Sequence, residues 1–125
     1  MLKGLPILIV EDEAVIAMCL AEMIADLGGC VVGPVGKVSD ALALIEEAPI
    51  AAAILDANLL DRDVTPVALA LTERALPFII HSGTGLPDEL AQRYPDLPLV
   101  LKPAHSMAVL AALLHRVSPD RARFE

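Results

Sequence analysis

Five short apolar runs set the limits on what this chain can fold into. They are Ile7-Leu8-Ile9-Val10, Cys30-Val31-Val32, Ala52-Ala53-Ile54-Leu55, Phe78-Ile79-Ile80 and Leu99-Val100-Leu101. Each is too short for a stable helix, most are β-branched, and each is bounded by Gly, Pro or acids. That is the pattern of strands buried on both faces.

Longer segments with helical spacing lie between the runs. Ile16, Leu20, Met23 and Leu27 fall on one stripe, and Gly28-Gly29 can supply the positive φ that ends a helix. Ser39 is placed to cap a second helix, with Leu42 and Ile45 inward and Pro49 as its stop. A third helix is expected over about Thr65 to Ala75. A last one is expected over about Ser106 to Val117, with Val109, Leu110, Leu113 and Leu114 available for packing. The fourth connection, Gly83 to Pro98, carries three prolines and predicts a loop with one short helix near Asp88 to Arg93. Regular βα alternation implies a parallel sheet with helices on both faces and right-handed crossovers. The expected class is α/β: a flavodoxin-like (βα)5, doubly wound five-stranded sheet in the order 2-1-3-4-5. By analogy with known sheets of this kind, its ligand crevice lies at the carboxyl ends of strands 1 and 3.

At 125 residues the chain has the length of one domain, 1–125. Such a domain buries roughly two-thirds of its unfolded surface. Hydrophobic residues are 56% and charged residues 21%, which excludes a disordered chain. Nine Lys and Arg against seventeen Asp and Glu leave a formal charge of −8, and aromatics are only 2%. That surface repels phosphate backbones and lacks base-stacking platforms, so no nucleic-acid partner is expected. No run approaches membrane-spanning length. The apolar opening runs straight into Glu11-Asp12-Glu13, unlike a secretory leader, and a cytoplasmic protein is expected. Cys19 and Cys30 form no metal or disulfide pattern and read as small core residues.

The chemistry gathers where the strands stop. Strand 1 ends in Glu11-Asp12, with Glu13 following; strand 3 ends in Asp56, followed by Ala57 and Asn58. Strand 4 ends in His81-Ser82-Gly83, and strand 5 in Lys102-Pro103. In a parallel sheet these ends converge on one mouth. Clustered carboxylates repel one another and bind protons tightly unless a cation joins them. Hard oxygen ligands with open water positions suit Mg²⁺. Lys102 adds a fixed positive charge and Ser82 a hydroxyl for an approaching anion. An aspartate in that setting is equipped to accept a phosphoryl group.

In order and spacing, ILIVEDE, ILDANL, FIIHSG and LVLKP resemble the response-regulator receiver domains of two-component signalling, over nearly the whole chain. The resemblance implies Asp56 as phosphoacceptor, with Asp12 and Asp56 as direct Mg²⁺ ligands. It implies that Glu11 acts on the metal through water and that Asn58 offers its backbone carbonyl. Ser82 would contact the phosphoryl group and Lys102 would pair with it. The implied donor is a histidine kinase or a histidine phosphotransfer protein. On this reading the protein is no enzyme beyond slow self-dephosphorylation and carries no effector domain. It signals through an unknown downstream protein, with a homodimer as a further option.

Several positions depart from the family. Leu99 stands where receivers usually carry an aromatic switch residue, Ala104 where Phe often follows Lys-Pro, and Leu60 where Pro or Gly is common. Pro77-Phe78 and Ser82-Gly83 partly resemble a stand-alone receiver branch, in which His81 replaces the usual Ala. With a weak switch at Leu99, the loop from Gly83 to Pro98 is expected to reorder instead, and Thr84 to tune water access. His81 is expected to pack or hydrogen-bond locally, His105 and His115 to face solvent, and Asp61 and Asp63 to be solvated. The mean hydropathy of +0.64 predicts an exposed apolar patch on the last helix or the strand 4–5 face. Two alternatives stay open. One is a Mg²⁺-dependent phosphatase of the haloacid-dehalogenase type, which wants a second aspartate where Asn58 stands; the other is a docking module that is never phosphorylated.

Overall fold

A computed structural model describes residues 2–102 and 106–116. The elements follow as β1 (Pro6–Val10), α1 (Ala14–Asp26), β2 (Cys30–Val35), α2 (Val38–Glu47) and β3 (Ala52–Asp56). They continue as α3 (Thr65–Glu73), β4 (Phe78–Ser82), α4 (Asp88–Arg93), β5 (Leu99–Leu101) and α5 (Ser106–Arg116). All strand pairs are parallel and the order is β2-β1-β3-β4-β5, the expected topology. The expected positions Pro103, Ala104, His105 and Val117 lie outside the described residues.

Alternation along each strand sends successive side chains to opposite faces. Leu8, Val10, Ala53, Leu55, Phe78 and Ile80 pack with Val38, Ala41 and Ile45 of α2, Val67, Ala68 and Leu71 of α3, and Leu90 of α4. Ile7, Ile9, Ala52, Ile54 and Ile79 pack on the other side with Leu20 and Ile24 of α1 and Val109, Leu110 and Leu113 of α5. The sheet is thus covered three helices to two. Between α1 and β2 the chain turns sharply at Gly28, whose φ is +84°. A Cβ on Gly29 would lie 2.8 Å from both Ile24 and Leu2, so only glycine lets the chain pass there.

Several expectations are corrected. Burial on both faces holds for β1, β3 and β4 but not for β2 and β5, which have a neighbour on one edge only. Cys30 opens edge strand β2 and Cys19 lies on the outer side of α1, so both thiols are exposed and neither is core. The buried stripe of α1 is Ala17, Leu20 and Ile24, while Ile16, Met23 and Leu27 are half-buried beside it. Ser39 does not cap α2: Lys37 is the capping residue, and the first amides of the helix are held from elsewhere in the chain. The third helix stops at Glu73, before Ala75 with φ +56°. Among the described residues the large exposed apolar side chains are Val15 and Met18 on α1, Leu60, and Leu101 on β5. The last helix contributes none of these, because Val109, Leu110 and Leu113 turn inward. Also among the described residues, no helix is long and apolar enough to cross a membrane.

β2 contains one more residue than β1 between the pairs Leu8–Val32 and Val10–Val35, a bulge at Gly33. The extra residue brings the Val35 carbonyl to the Glu11 amide at 2.8 Å. Edge irregularity therefore fixes the backbone at the mouth of the sheet. Burial in the core sets a stability ranking. Leu55→Ala, at a fully buried position, should cost about 2–5 kcal/mol. Met18→Ala, at an exposed one, should change stability by less than about 0.5 kcal/mol. Urea denaturation checks both, and equal losses would contradict the assignment of the core.

Candidate functional site

The strand parity that builds the core also aims the polar ends. Glu11 continues the series Ile7, Ile9; Asp56 continues Ala52, Ile54; and Lys102 continues Val100, all on the α1–α5 face. His81 follows Ile79 on that face, whereas Ser82 follows Phe78 and Ile80 on the other. Ligand oxygens of Glu11, Asp12, Glu13 and Asp56 lie within 4.8 Å of one another. Glu11 and Asp56 are buried; Asp12 and Glu13 are exposed.

Lys102 enters this group from the end of β5. Its Nζ lies 3.2 Å from Glu13 Oε1, 3.5 Å from Glu11 Oε1 and 3.5 Å from Asp56 Oδ2. Its backbone N–H donates to the Ser82 carbonyl at 2.7 Å, which sets where the side chain starts. Burial works against the ammonium, but Glu11 and Asp56 outweigh it and hold Lys102 above its usual range. Burial, then a hydrogen bond shared with Asp56, pushes Glu11 up to about 8. Burial also raises Asp56, although Glu11 and Lys102 draw it back down. One ammonium facing four carboxylates leaves negative charge uncompensated. That donor set, all hard oxygens and partly open to solvent, fits a divalent cation such as Mg²⁺.

Of the residues expected from sequence, Glu11, Asp12, Asp56 and Lys102 come together. Ser82, at the end of β4, bonds within its own loop. Its Oγ donates to the Gly85 carbonyl at 2.9 Å and accepts from the Thr84 amide at 3.0 Å. The Asn58 amide donates to Asp56 Oδ1 at 3.4 Å, and its side chain donates to Thr84 Oγ1 at 3.3 Å. Thr84 therefore links the loop after β3 to the loop after β4. Glu13 was not among the expected site residues, yet it makes the shortest contact to Lys102. Its spacing of two from Glu11, on the same turn, was the available signal: the Glu13 amide donates to Glu11 Oε2 at 3.1 Å. His81 is buried, and neither ring nitrogen has a hydrogen-bond partner among the described residues, so it packs without bonding. Burial, with Lys102 nearby, lowers its pKa. His115 is exposed, as expected.

Asp61 and Asp63 are not simply solvated. Asp61 accepts from the amides of Val38 at 2.7 Å and Ser39 at 3.1 Å, which holds its carboxyl below the usual range. Asp63 Oδ1 accepts from the Thr65 amide at 2.9 Å, the first amide of α3, from the position before the capping residue Val64.

The raised Glu11 has a consequence for stability. An acid whose folded pKa exceeds its unfolded one is less at home ionised in the fold than in the open chain. Its contribution is intact below about 4.5 and is lost as pH rises to about 8. In EDTA, the urea midpoint of the wild type should fall across that window, and that of Glu11→Gln should fall less. Identical slopes would contradict the burial argument.

No family model matches the chain, and no curated protein matches it either. Solved structures do. The chain is 42% identical to SdrG from Sphingomonas melonis Fr1, with 90% of this chain and 98% of that one covered at a TM-score of 0.72. SdrG is also known in a BeF₃-activated conformation, 43% identical over 91% of this chain and 99% of that one, with a TM-score of 0.68. A response regulator receiver protein from Sinorhizobium medicae WSM419 is 24% identical, covered at 94% and 97%, with a TM-score of 0.79. The receiver domain of sensor histidine kinase PA1611 from Pseudomonas aeruginosa PAO1, with magnesium coordinated in its active-site cleft, is 22% identical. There the coverage is 91% and 98% and the TM-score 0.76, a likeness of fold. With the sheet order, the acid cluster and a 42% identical relative in agreement, the chain belongs to the response-regulator receiver family.

Proposed function

We propose that this receiver takes a phosphoryl group onto Asp56 from a histidine kinase or a histidine phosphotransfer protein and signals through contacts with other proteins. The observation that carries the proposal is the position of Asp56. Its carboxylate is buried at the end of β3, 3.5 Å from the Lys102 ammonium and inside the acid cluster. In the transfer, an Asp56 oxygen forms the new O–P bond while the P–N bond of the donor phosphohistidine breaks. The electron pair leaves with the imidazole.

Glu11, Asp12, Asp56 and the Asn58 carbonyl are the groups that would hold Mg²⁺. Bound there, the ion supplies neutralisation of the phosphoryl oxygens. Lys102 orients the carboxylate and offers its charge to the incoming group. Ser82 must exchange a bond to Gly85 or Thr84 for one to a phosphoryl oxygen. That exchange releases the loop that begins at Gly83, so reordering there replaces the aromatic switch that Leu99 cannot provide. The BeF₃-activated conformation of SdrG supports the reading by kinship.

Intact-mass analysis with acetyl phosphate and Mg²⁺ tests the proposal. The wild type should gain one phosphoryl group that is stable in acid and labile in base, and Asp56→Asn should gain none. Full labelling of Asp56→Asn would overturn the assignment. Mg²⁺ titration provides a second check. Asp12→Ala should weaken binding far more than Asp63→Ala, because Asp63 already accepts the Thr65 amide at the start of α3. Equal losses would mean the cation sits elsewhere.

A further inference from the structure

The segment after Asp56 does more than carry Asn58. Leu60 donates its amide to the Gly36 carbonyl at 3.0 Å, and one residue later Asp61 grips the first two amides of α2. The two Asp61 bonds span 22 and 23 residues of sequence, and no side chain of α2's own capping residue does this work. Gly36 lies at the meeting point of three loops. A Cβ there would be 3.3 Å from Leu60 Cδ1 and 3.4 Å from Asp12 Cα, so both neighbours lie close to the residue that leads into α2. Asp12 and Asn58, on either side of this junction, are residues placed above at the cation site.

From this contact network we infer that Asp61 is a releasable clamp, through which occupancy of the Asp56 site changes the N-terminus of α2. The inference rests on the phosphoacceptor reading. A bound cation and phosphoryl group would draw on Asp12 and the Asn58 carbonyl, and residues 57–60 would move with them. Asp61 is tethered to that segment and is drawn away from the Val38 and Ser39 amides. The start of α2 then loses its only side-chain acceptor among the described residues. The α2 face becomes a second output, separate from the loop after β4.

Amide exchange followed by NMR tests it, with Mg²⁺ and beryllofluoride as the probe and intact mass after acetyl phosphate as the control. In the wild type, Val38 and Ser39 should exchange roughly fivefold faster when the site is occupied, the loss of one hydrogen bond. In Asp61→Ala both amides should exchange fast in either state, while Thr84 and Gly85 respond as in the wild type. Asp61→Asn keeps one acceptor oxygen and should give an intermediate result even if the alanine variant folds poorly. Unchanged or slower exchange at Val38 and Ser39, with Thr84 and Gly85 responding, would overturn the clamp and leave the phosphoacceptor reading intact. No response anywhere, with no mass gain from acetyl phosphate, would remove that reading and the clamp with it.

Discussion

A single ammonium holds together a group of carboxylates that would otherwise drive one another apart. Lys102 Nζ lies within 3.5 Å of Glu11, Glu13 and Asp56, with Asp12 completing the cluster. Two of the acids are buried, so each feels the others through protein more than through water. One positive charge cannot balance four negative ones. Burial, and then the hydrogen bond shared with Asp56, hold a proton on Glu11 up to about 8, which removes part of that negative charge. Crowded carboxylates of this kind are the setting in which a divalent cation is favoured.

The rest of the fold serves that arrangement. Parallel pairing brings the carboxyl ends of β1, β3 and β5 to one edge of the sheet. Strand parity then turns Glu11, Asp56 and Lys102 to the same face, and Ser82 to the opposite one. The bulge in β2 fixes the Glu11 backbone through Val35, and the Ser82 carbonyl fixes that of Lys102. Beyond Asp56, three aspartate and asparagine side chains tie the following loop to its surroundings. Asn58 reaches Thr84, Asp61 reaches α2, and Asp63 reaches α3. The loop after Asp56 is therefore joined to its surroundings in three directions.

Much of this was legible in the sequence because it depends on periodicity. The five apolar runs marked the strands, their order in the sheet came by analogy with known βα sheets, and the abbreviated helix from Asp88 to Arg93 followed from the prolines around it. Glu11, Asp12, Asp56 and Lys102 could be placed together because each stands directly after an apolar run. What stayed hidden depends on contacts distant in sequence. Nothing local to Asp61 says that it caps a helix 22 residues earlier, and Ser39 looked the better cap. Cys19 and Cys30 looked buried from their apolar neighbours, but an edge strand and the outer side of α1 leave such residues exposed. Parity puts Ser82 on the other face of the sheet from Asp56, and motif order does not show parity.

The central claim is that the acid cluster is a charge imbalance built into the fold, centred on Asp56 and relieved by a divalent cation. Chemical denaturation at neutral pH, with EDTA or with saturating Mg²⁺, tests this most directly. Mg²⁺ should raise the urea midpoint of the wild type. Asp56→Asn, with one charge fewer, should start higher in EDTA and gain much less from the ion. A wild-type midpoint indifferent to Mg²⁺, or an Asp56→Asn variant less stable than wild type in EDTA, would contradict the account.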